Sequence, residues 1–532
     1  MAADALPILA RVETHTRRRR LAWSTAVFSL FTGLSRILGL VREVVARGYF
    51  GVDGAINAFD VAFLIPNTIR ALVADAALSG AFVPVFSDLL ERGERARAWR
   101  VASSLLWLVL LVLTGITAFF VLIAPWVMHA FGYGAFATSL ARLLFPIVVL
   151  LGVFGILVGV LNSYDEFAIP ALSPVVWNVA IIVGLVIGVP RADGTEAKLY
   201  VYAASILVAT IIQTLLPIPW LRGRDDRLHM VLDWRDPAVR RVFVLMLPIS
   251  IGLGLININA VVDTFFAARF IDKDQAPSAI NAAFRLYMLP QGMFSVAVAT
   301  VLFPTLSRLA SRNDIPAFKT TVNAGLRQIA FLLIPASIFT AVLAEPIVRL
   351  VYERGKFTPS QTHVVAGALA AFALGLTFNG FMLMLNRGFF SLQIPWLPTW
   401  VALGNLGLNA ILDAAFFSFG VWGLPLATAL VNIAGTAALL ILLRRQLGGL
   451  DLRASGSAIV RIVIASIPVA IVSFGVWWAL DDLLGHDRFI TQLVSVTAAI
   501  VAGGFVYLVA CRALRVQELR ALLSLRGRFL SA

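Results

Sequence analysis

Three arginines interrupt an apolar stretch near the start of the chain. Residues 35–47 read SRILGLVREVVAR and contain Arg36, Arg42 and Arg47 together with Glu43. Of the arginines deeper inside apolar segments, Arg36 and Arg42 lie here, and Arg70 and Arg285 lie in two further segments. A charged side chain at the bilayer centre costs roughly 2.5–3.5 kcal/mol on insertion scales, so it usually has a function or a partner. A guanidinium group stays charged and binds phosphate through parallel N–H groups. These four residues predict a cationic cavity for a substrate carrying phosphate or pyrophosphate.

A structural role for the arginines is the alternative. Long basic side chains near the ends of spans reach to the lipid headgroups, and we expect this of Arg47. Others could pair with Glu43 or Asp75, and Arg42 beside Glu43 is explained equally well as a structural pair. A role in phosphate binding and a role in packing therefore both stay open at this point.

Helical geometry limits how Arg36 and Arg42 can cooperate. The two residues are six positions apart, so at about 100° per residue their side chains point about 120° away from each other. They share one cavity only if it is wide or if the helix bends, for which Gly39 offers a site.

Polar and acidic residues form a second set in later apolar segments. Asp263 lies within NINAVVDTFF, Asn409 and Asp413 are spaced i, i+4 on one helix face, and Thr428 follows. Carboxylate, amide and hydroxyl oxygens are ligands for hard cations, so the set predicts a Na⁺ site or a proton site. Interhelical hydrogen bonds between polar side chains are the alternative.

The elements that position these residues must be membrane helices. The 532-residue chain is 60% hydrophobic and 14% charged, with a mean hydropathy of +0.90, whereas soluble chains are about 45–50% apolar and about 25% charged. Apolar runs long enough to cross about 30 Å of hydrocarbon recur along it. We expect an all-α polytopic membrane protein with about 14 spans. They are predicted near 22–48, 56–74, 101–128, 137–162, 170–190, 199–220, 239–270, 279–304, 322–351, 362–386, 397–419, 421–443, 458–480 and 490–513.

Loop charge predicts the orientation of the spans. The loops at 88–100, 221–241 and 444–461 are rich in arginine, as is the N-terminal run Arg17–Arg20, and the alternate loops are less basic. Basic loops stay on the cytoplasmic side of bacterial membranes. Both termini are therefore expected in the cytoplasm.

An internal repeat predicts the domain organisation. INAFDVAFLIPN at 56–67 resembles INAAFRLYMLPQ at 280–291, and VPVFS at 83–87 resembles FPTLS at 303–307. LNSYDEFAIPALSP at 161–174 likewise resembles LNRGFFSLQIPWLP at 385–398. Six spans per repeat give two pseudo-symmetric lobes in the same orientation, with a substrate site between them. The expected division is a cytoplasmic tail at 1–21, an N-lobe at 22–220, a C-lobe at 239–445, two additional helices at 458–513 and a second cytoplasmic tail at 514–532.

The sequence lacks the motifs that are typical of several function classes. There is one cysteine, Cys511, the histidines are scattered, and neither GxxxxGK[ST] nor HExxH occurs. We expect no ATP hydrolysis, no nucleic-acid partner and no bound cofactor beyond Na⁺ or H⁺. A membrane glycosyltransferase would need a catalytic carboxylate, for which Asp481 and Asp482 are the candidates.

The motifs resemble one known family. FTGLSRILGLVREVVARGYFG at 31–51, NAFDVAFLIPNTIRALVADAALSGAFVPVFSDL at 57–89, LPQGMFSVAVATVLFPTLSRL at 289–309 and GKFT at 355–358 resemble the MurJ (MviN) family of lipid II flippases, part of the multidrug/oligosaccharidyl-lipid/polysaccharide exporter superfamily. The resemblance implies a transporter, not an enzyme, that moves the undecaprenyl-pyrophosphate-linked peptidoglycan precursor from the inner to the outer leaflet by alternating access.

The resemblance also implies roles for particular residues. Arg36, Arg42, Arg70 and Arg285 would hold the pyrophosphate and sugar headgroup, and helices 13 and 14 would form a groove for the lipid tail. The family's sodium site would fall on Asp263, Asn409, Asp413 and Thr428. Partners would be lipid II, membrane lipids and the peptidoglycan synthesis machinery. The alternatives are a flippase for another polyprenyl-linked glycan, an exporter of cationic drugs, a membrane glycosyltransferase and a scaffold.

The chain departs from the family pattern at three places. Asn57 and Met288 stand where many or some members carry acids, and Asp75–Ala77 reads DAA in place of EGA. These departures weaken the expectation of a fixed carboxylate network but leave the four arginines intact.

Overall fold

The computed structural model describes residues 27, 30–73, 76–485 and 488–519, and these contain helices and no strand. The N-terminal tail at 1–21 and Asp75 lie outside the described residues, as does most of the C-terminal tail. The all-α prediction is confirmed.

The first ten helices run from residue 30 to residue 266. They are α1 at 30–50, α2 Ile56–Val73, α3 Ala76–Glu91, α4 Arg95–Ala130, α5 Ala135–Leu144, α6 Pro146–Ser163, α7 Ala168–Val183, α8 Thr195–Leu215, α9 Ile218–Leu221 and α10 Pro237–Phe266. Short π-helical turns extend α7 over Gly184–Gly188 and α10 over Ala267–Ile271.

Nine more helices follow within the described residues. They are α11 Ala276–Pro290, α12 Val296–Ser311, α13 Ile315–Val342, α14 Ala344–Tyr352, α15 Pro359–Ser391, α16 Trp396–Phe416, α17 Gly423–Gln446, α18 Leu452–Leu484 and α19 Phe489–Ala513. A π-helical turn, Gln291–Ser295, joins α11 to α12.

Eleven helical stretches in the described part are long and apolar enough to cross a membrane. They match eleven of the predicted spans, and the other three predictions, 22–48, 56–74 and 239–270, coincide with α1, α2 and α10. The total of fourteen stays a prediction. In α4 the most apolar window is almost entirely on the outside of the protein, as expected of a helix that faces lipid.

The predicted span at 322–351 is wrong in its last nine residues. Helix α13 ends at Val342, and a separate helix, α14, begins at Ala344 and carries Glu345 and Arg349. Pro346 explains the break, because it has no N–H to donate to the carbonyl oxygen of Val342 and is tolerated only in the first turn of a new helix.

The predicted loop at 480–487 is also partly helical. Helix α18 continues to Leu484, so Asp481 and Asp482 lie on its last turns.

Matching turns occur at the places where the sequence repeats. The turn after α3 has Gly93 at φ +78°, and the turn after α12 has Asn313 at φ +57°. Asp165 after α6 and Gln393 after α15 also have positive φ, at 60° and 59°, although they are 228 positions apart and the motifs that contain them align at an offset of 224. In both pairs the same backbone hydrogen bonds close the helix C-terminus. Local geometry thus follows the repeat, while the lobe boundaries stay a prediction.

The chain forms two compact units. One contains the described residues up to Arg47 together with Ala58–Val261, and the other contains Gly48–Asn57 and the described residues from Val262 onward. The segment Gly48–Asn57 therefore packs with the second half of the chain, although α1 and α2, which flank it, belong mostly to the first half.

Asn57 fixes this segment within the second unit. Its fully buried amide nitrogen donates hydrogen bonds to the carbonyl oxygens of Val52, Gly54 and Asp274, and its oxygen accepts one from the backbone N–H of Ser278. An aspartate could not donate these three bonds. The asparagine at position 57 therefore stabilises the loop between α1 and α2 against the loop that precedes α11.

Candidate functional site

Helices α1 and α7 of the first unit pack against each other next to Arg42, a member of the arginine set. The side-chain amide of Asn178 on α7 donates to Oγ of Ser35 at 3.4 Å and to the carbonyl oxygen of Ser35 at 3.3 Å. A Cβ atom on Gly39 would lie 3.8 Å from Oδ1 of Asn178, so the same face of α1 packs against α7. Helix α1 continues through Gly39 without a break in its helical backbone.

Arg42 lies on this face and is positioned by an aromatic ring. Its guanidinium carbon is 4.7 Å from the centre of the Trp177 ring, and the side chain is half-buried. A cation over the face of tryptophan is attracted by the ring quadrupole, by about 0.5–2 kcal/mol depending on desolvation. The side chain of Arg42 is therefore oriented by α7 while it keeps its charge.

Arg36 is exposed on another face of α1. This agrees with the helical angle, because Ser35 faces α7 and the next residue points about 100° away from it.

Arg70 lies in the last turn of α2 and is oriented by its own helix. Its Nε and Nη2 atoms donate to Oδ1 of Asn67, at 3.1 Å and 2.9 Å. The amide oxygen of Asn67 therefore orients the guanidinium group along the helix.

Arg285 lies in the middle of α11, in the second unit. The residue is exposed, whereas Leu286 and Tyr287 beside it are buried. The structure thus places three of the predicted arginines in one unit and the fourth in the other.

Arg47 was expected to reach toward the lipid headgroups, and this expectation is wrong. The residue is 3% exposed, and it forms ion pairs with Glu43 at 2.9 Å and Asp60 at 3.2 Å. Glu43 is four positions away on the same helix face, so a local partner was available to the side chain. Arg47 is therefore part of the packing between α1 and α2, and breaking such a buried pair is costly.

Three of the four residues of the acidic set lie together in the second unit, joined by hydrogen bonds. The side-chain amide of Asn409 donates to Oδ1 of Asp263 on α10 and to Oδ2 of Asp413, the latter at 2.9 Å. Asn409 and Asp413 are fully buried. Two carboxylates thus share one amide in the interior of the unit.

Two oxygen atoms of this cluster have no hydrogen bond within the described part of the chain. They are Oδ1 of Asn409 and Oδ1 of Asp413, both of them shielded from solvent. A buried acceptor without a partner is costly unless a cation or a proton occupies it. The donor set of carboxylate and amide oxygens therefore fits a hard cation such as Na⁺.

Thr428 is not joined to the cluster by a hydrogen bond that the structure shows. Its hydroxyl donates to the carbonyl oxygen of Leu424 in the preceding turn of α17. Among the described residues there is also no group of three or more His, Cys, Asp and Glu side chains that could hold a metal.

Asp481, a candidate for the catalytic carboxylate of a glycosyltransferase, forms an ion pair. Arg349 on α14 contacts Asp481 at 3.3 Å and Glu345 at 3.2 Å. This ties α14 to α18.

Sequence reasoning missed Trp177, Asn178 and Asn67. A polar residue inside an apolar span was a signal in the case of Asn178. The contacts of Trp177 and Asn67 with arginine depend on how the helices are rotated, and residue types alone do not give that.

Comparison with known proteins decides the family. The family model described as Lipid II flippase MurJ matches residues 46–493, which is most of the chain. The chain belongs to the MurJ family.

Curated MurJ relatives match over most of their length. "Lipid II flippase MurJ" of Burkholderia cenocepacia is 30% identical over 78% of this chain and 82% of its own length. "Probable lipid II flippase MurJ" of Rhizobium meliloti is 30% identical over 89% of this chain and 90% of its own. The recognition from motifs is confirmed.

Solved structures agree on the fold. The structure titled "Lipid II flippase MurJ, inward closed conformation" aligns with a TM-score of 0.75 at 24% identity, over 92% of this chain and 99% of that one. An inward-facing multidrug transporter of the MATE family has a TM-score of 0.68 at 15% identity, over 80% and 98%. Both neighbours share the fold of this chain.

MurJ membership settles the class of the protein. The family consists of lipid II flippases, which are transporters and not enzymes, and it belongs to peptidoglycan biosynthesis. With eleven apolar helices, this MurJ protein is a multi-pass protein of the inner membrane.

Proposed function

We propose that this protein moves lipid II from the inner to the outer leaflet of the cytoplasmic membrane by alternating access. The observation that carries the proposal is the match of the MurJ family model to residues 46–493. Lipid II would enter between the two predicted lobes with its pyrophosphate on the arginines and its tail in lipid beside α18 and α19.

The arginine set supports a cationic cavity for the headgroup. Arg36 and Arg285 are exposed, Arg42 rests on Trp177, and Arg70 is oriented by Asn67. Trp177 and Asn67 orient two of these guanidinium groups, whereas Arg47 is buried between two carboxylates. Oriented or exposed guanidinium groups support a role in phosphate binding.

We propose that a cation or a proton at Asp263, Asn409 and Asp413 resets the cycle. The two buried oxygens without a hydrogen bond support this. The membrane potential is a further source of energy, because it is worth about 2.3 kcal/mol per charge per 100 mV.

The decisive experiment is rescue in a bacterium depleted of its own lipid II flippase. The chain is expressed as wild type, Arg36→Ala, Arg285→Ala and the control Arg312→Ala, which removes an exposed arginine outside the set. Lipid II in the outer leaflet is measured at matched expression. We expect rescue by wild type and control and loss in both test variants, because a hydrogen bond to a charged group contributes roughly 1.5–3 kcal/mol, or about 10- to 150-fold in binding.

Other outcomes would redirect the proposal. Rescue by both test variants would make these arginines structural. Failure of a well-expressed wild type would favour a flippase for another polyprenyl-linked glycan.

A further inference from the structure

The connection between α9 and α10 carries an apolar face that the transport function does not use. Residues 228–234, here called the linker segment, have no regular secondary structure. Met230, Leu232 and Trp234 are 82%, 54% and 60% exposed, while Val231 and Asp233 between them are partly buried. This alternation directs three large apolar side chains to one side of the segment.

The other side of the linker segment is fastened to α4. The backbone N–H of His229 donates to Oγ of Ser103 at 3.0 Å, and that of Asp233 donates to Oγ of Ser104 at 3.3 Å. The indole N–H of Trp107 donates to the carbonyl oxygen of His229 at 3.0 Å. Both serines are buried, so the apolar face is displayed from a fixed support within the first unit.

Helix α4 sets the depth of the linker segment in the membrane. A helix needs about 20 residues to cross 30 Å of hydrocarbon. Counting back from His129, near the other end of α4, puts the near edge of the hydrocarbon close to Leu110. At 1.5 Å per residue, Trp107 lies about 5 Å and Ser103 about 10 Å beyond that edge. The headgroups form a layer about 5–8 Å thick on each side, so Trp107 lies within this layer and Ser103 lies just beyond its outer boundary.

The charge around the apolar face is mixed, with an excess of arginine. Residues 221–241 contain six arginines and four aspartates, and one of the exposed arginines, Arg241, pairs with Asp88 at 3.8 Å. The exposed arginines Arg222, Arg227, Arg235 and Arg240 flank the apolar face. Arg235 also lies over the Trp234 ring at 5.2 Å. An apolar face bordered by arginine and tryptophan at headgroup depth is the pattern of a segment that lies in an anionic membrane surface.

We propose that the linker segment is a membrane-interface anchor. Met230, Leu232 and Trp234 insert into the headgroup layer, and the surrounding arginines bind anionic headgroups of the phosphatidylglycerol type. The anchor fixes the depth of the connection that follows the sixth predicted span.

The test uses the full-length chain in liposomes and one fluorescent label. Cys511 is the single cysteine and is replaced by serine. Leu232→Cys is labelled with an environment-sensitive fluorophore, and Glu91→Cys, an exposed polar site at the end of α3, is the matched control. Quenching by nitroxide-labelled lipid and by soluble iodide is compared in phosphatidylcholine vesicles and in vesicles that also contain phosphatidylglycerol.

We expect lipid nitroxide to quench the label at residue 232, more strongly with phosphatidylglycerol, and iodide to quench the label at residue 91. In the anionic vesicles, Arg235→Gln should lower the ratio of lipid to iodide quenching roughly fivefold, as expected for one arginine near an anionic surface.

Two results would overturn the proposal. If iodide and not lipid quenches residue 232, the face is in water. If neither quenches it, a second copy or another protein covers the face. Both leaflets of these vesicles have the same composition and iodide is present on both sides of the membrane, so the result does not depend on the orientation of the chain.

Discussion

At the scale of single residues, the arginines differ in what holds them. Arg47 is locked between two carboxylates, while Arg42 rests on an indole ring that orients it without removing its charge. The i, i+4 spacing of Glu43 and Arg47 was a readable signal for their ion pair, whereas nothing near Arg42 in the sequence indicated the indole ring. The partner of each depends on the rotation of α1 against α2 and α7, which packing decides.

Residue types and their spacing predicted more of the acidic cluster than of the arginine contacts. The i, i+4 spacing of Asn409 and Asp413 placed both side chains on one face, and Asp263 of α10 meets them there. Thr428 had no such local constraint, because its neighbourhood depends on how α17 packs.

The cluster leads to a prediction about sodium. Na⁺ should raise the thermal stability of the purified wild type relative to choline at equal ionic strength, because a ligand at 100 times its Kd stabilises by about 2.7 kcal/mol. Asp413→Asn should lose this sodium dependence, since it removes one charge from the cluster.

The control for the sodium experiment is Asp314→Asn. Asp314 caps α13 by accepting a hydrogen bond from the N–H of Ala317, a role that asparagine also fills. An equal sodium effect in all three proteins, or none in the wild type, would argue against a sodium site.

At the scale of elements, the GKFT motif at 355–358 has a packing explanation. Gly355 has φ +62°, and a Cβ atom there would collide with the carbonyl oxygen of Gly48. The N–H of Lys356 donates to that same oxygen at 2.9 Å. Glycine is needed because two backbone segments, far apart in the sequence, meet without room for a side chain.

Gly355→Ala should therefore destabilise the protein more than Gly54→Ala. Gly54 has φ +73° but open space around its Cβ position, so alanine there meets only the conformational cost of roughly 1–2 kcal/mol. The collision at residue 355 should add about 1–3 kcal/mol. Thermal unfolding of the two purified variants measures this difference in stability. Equal losses of stability would mean that the backbone near residue 355 shifts without a cost in free energy.

Element positions followed from hydropathy, but breaks within them did not. The π-helical turn Gln291–Ser295 lies inside one apolar run, so the run predicts a span and not the irregularity. Pro346, by contrast, was a readable signal for the end of α13.

At the scale of the whole molecule, orientation rests on loop charge. We predict that Lys273, in the loop before α11, faces outward and that Arg92, in the turn after α3, faces the cytoplasm. In a Cys511→Ser background, a membrane-impermeant maleimide should label Lys273→Cys in intact cells and Arg92→Cys only after permeabilisation. The reverse pattern would invert the topology.

The attachment of Gly48–Asn57 to the second unit has a consequence for synthesis of the chain. The N–H of Val52 donates to the side chain of Gln361, which lies 309 positions later. At about 5–20 residues per second, the ribosome needs roughly 15–60 s to make the intervening chain. During that interval the first loop has left the ribosome without the partner that its backbone will bind, so the hairpin of α1 and α2 completes its folding only after most of the protein exists.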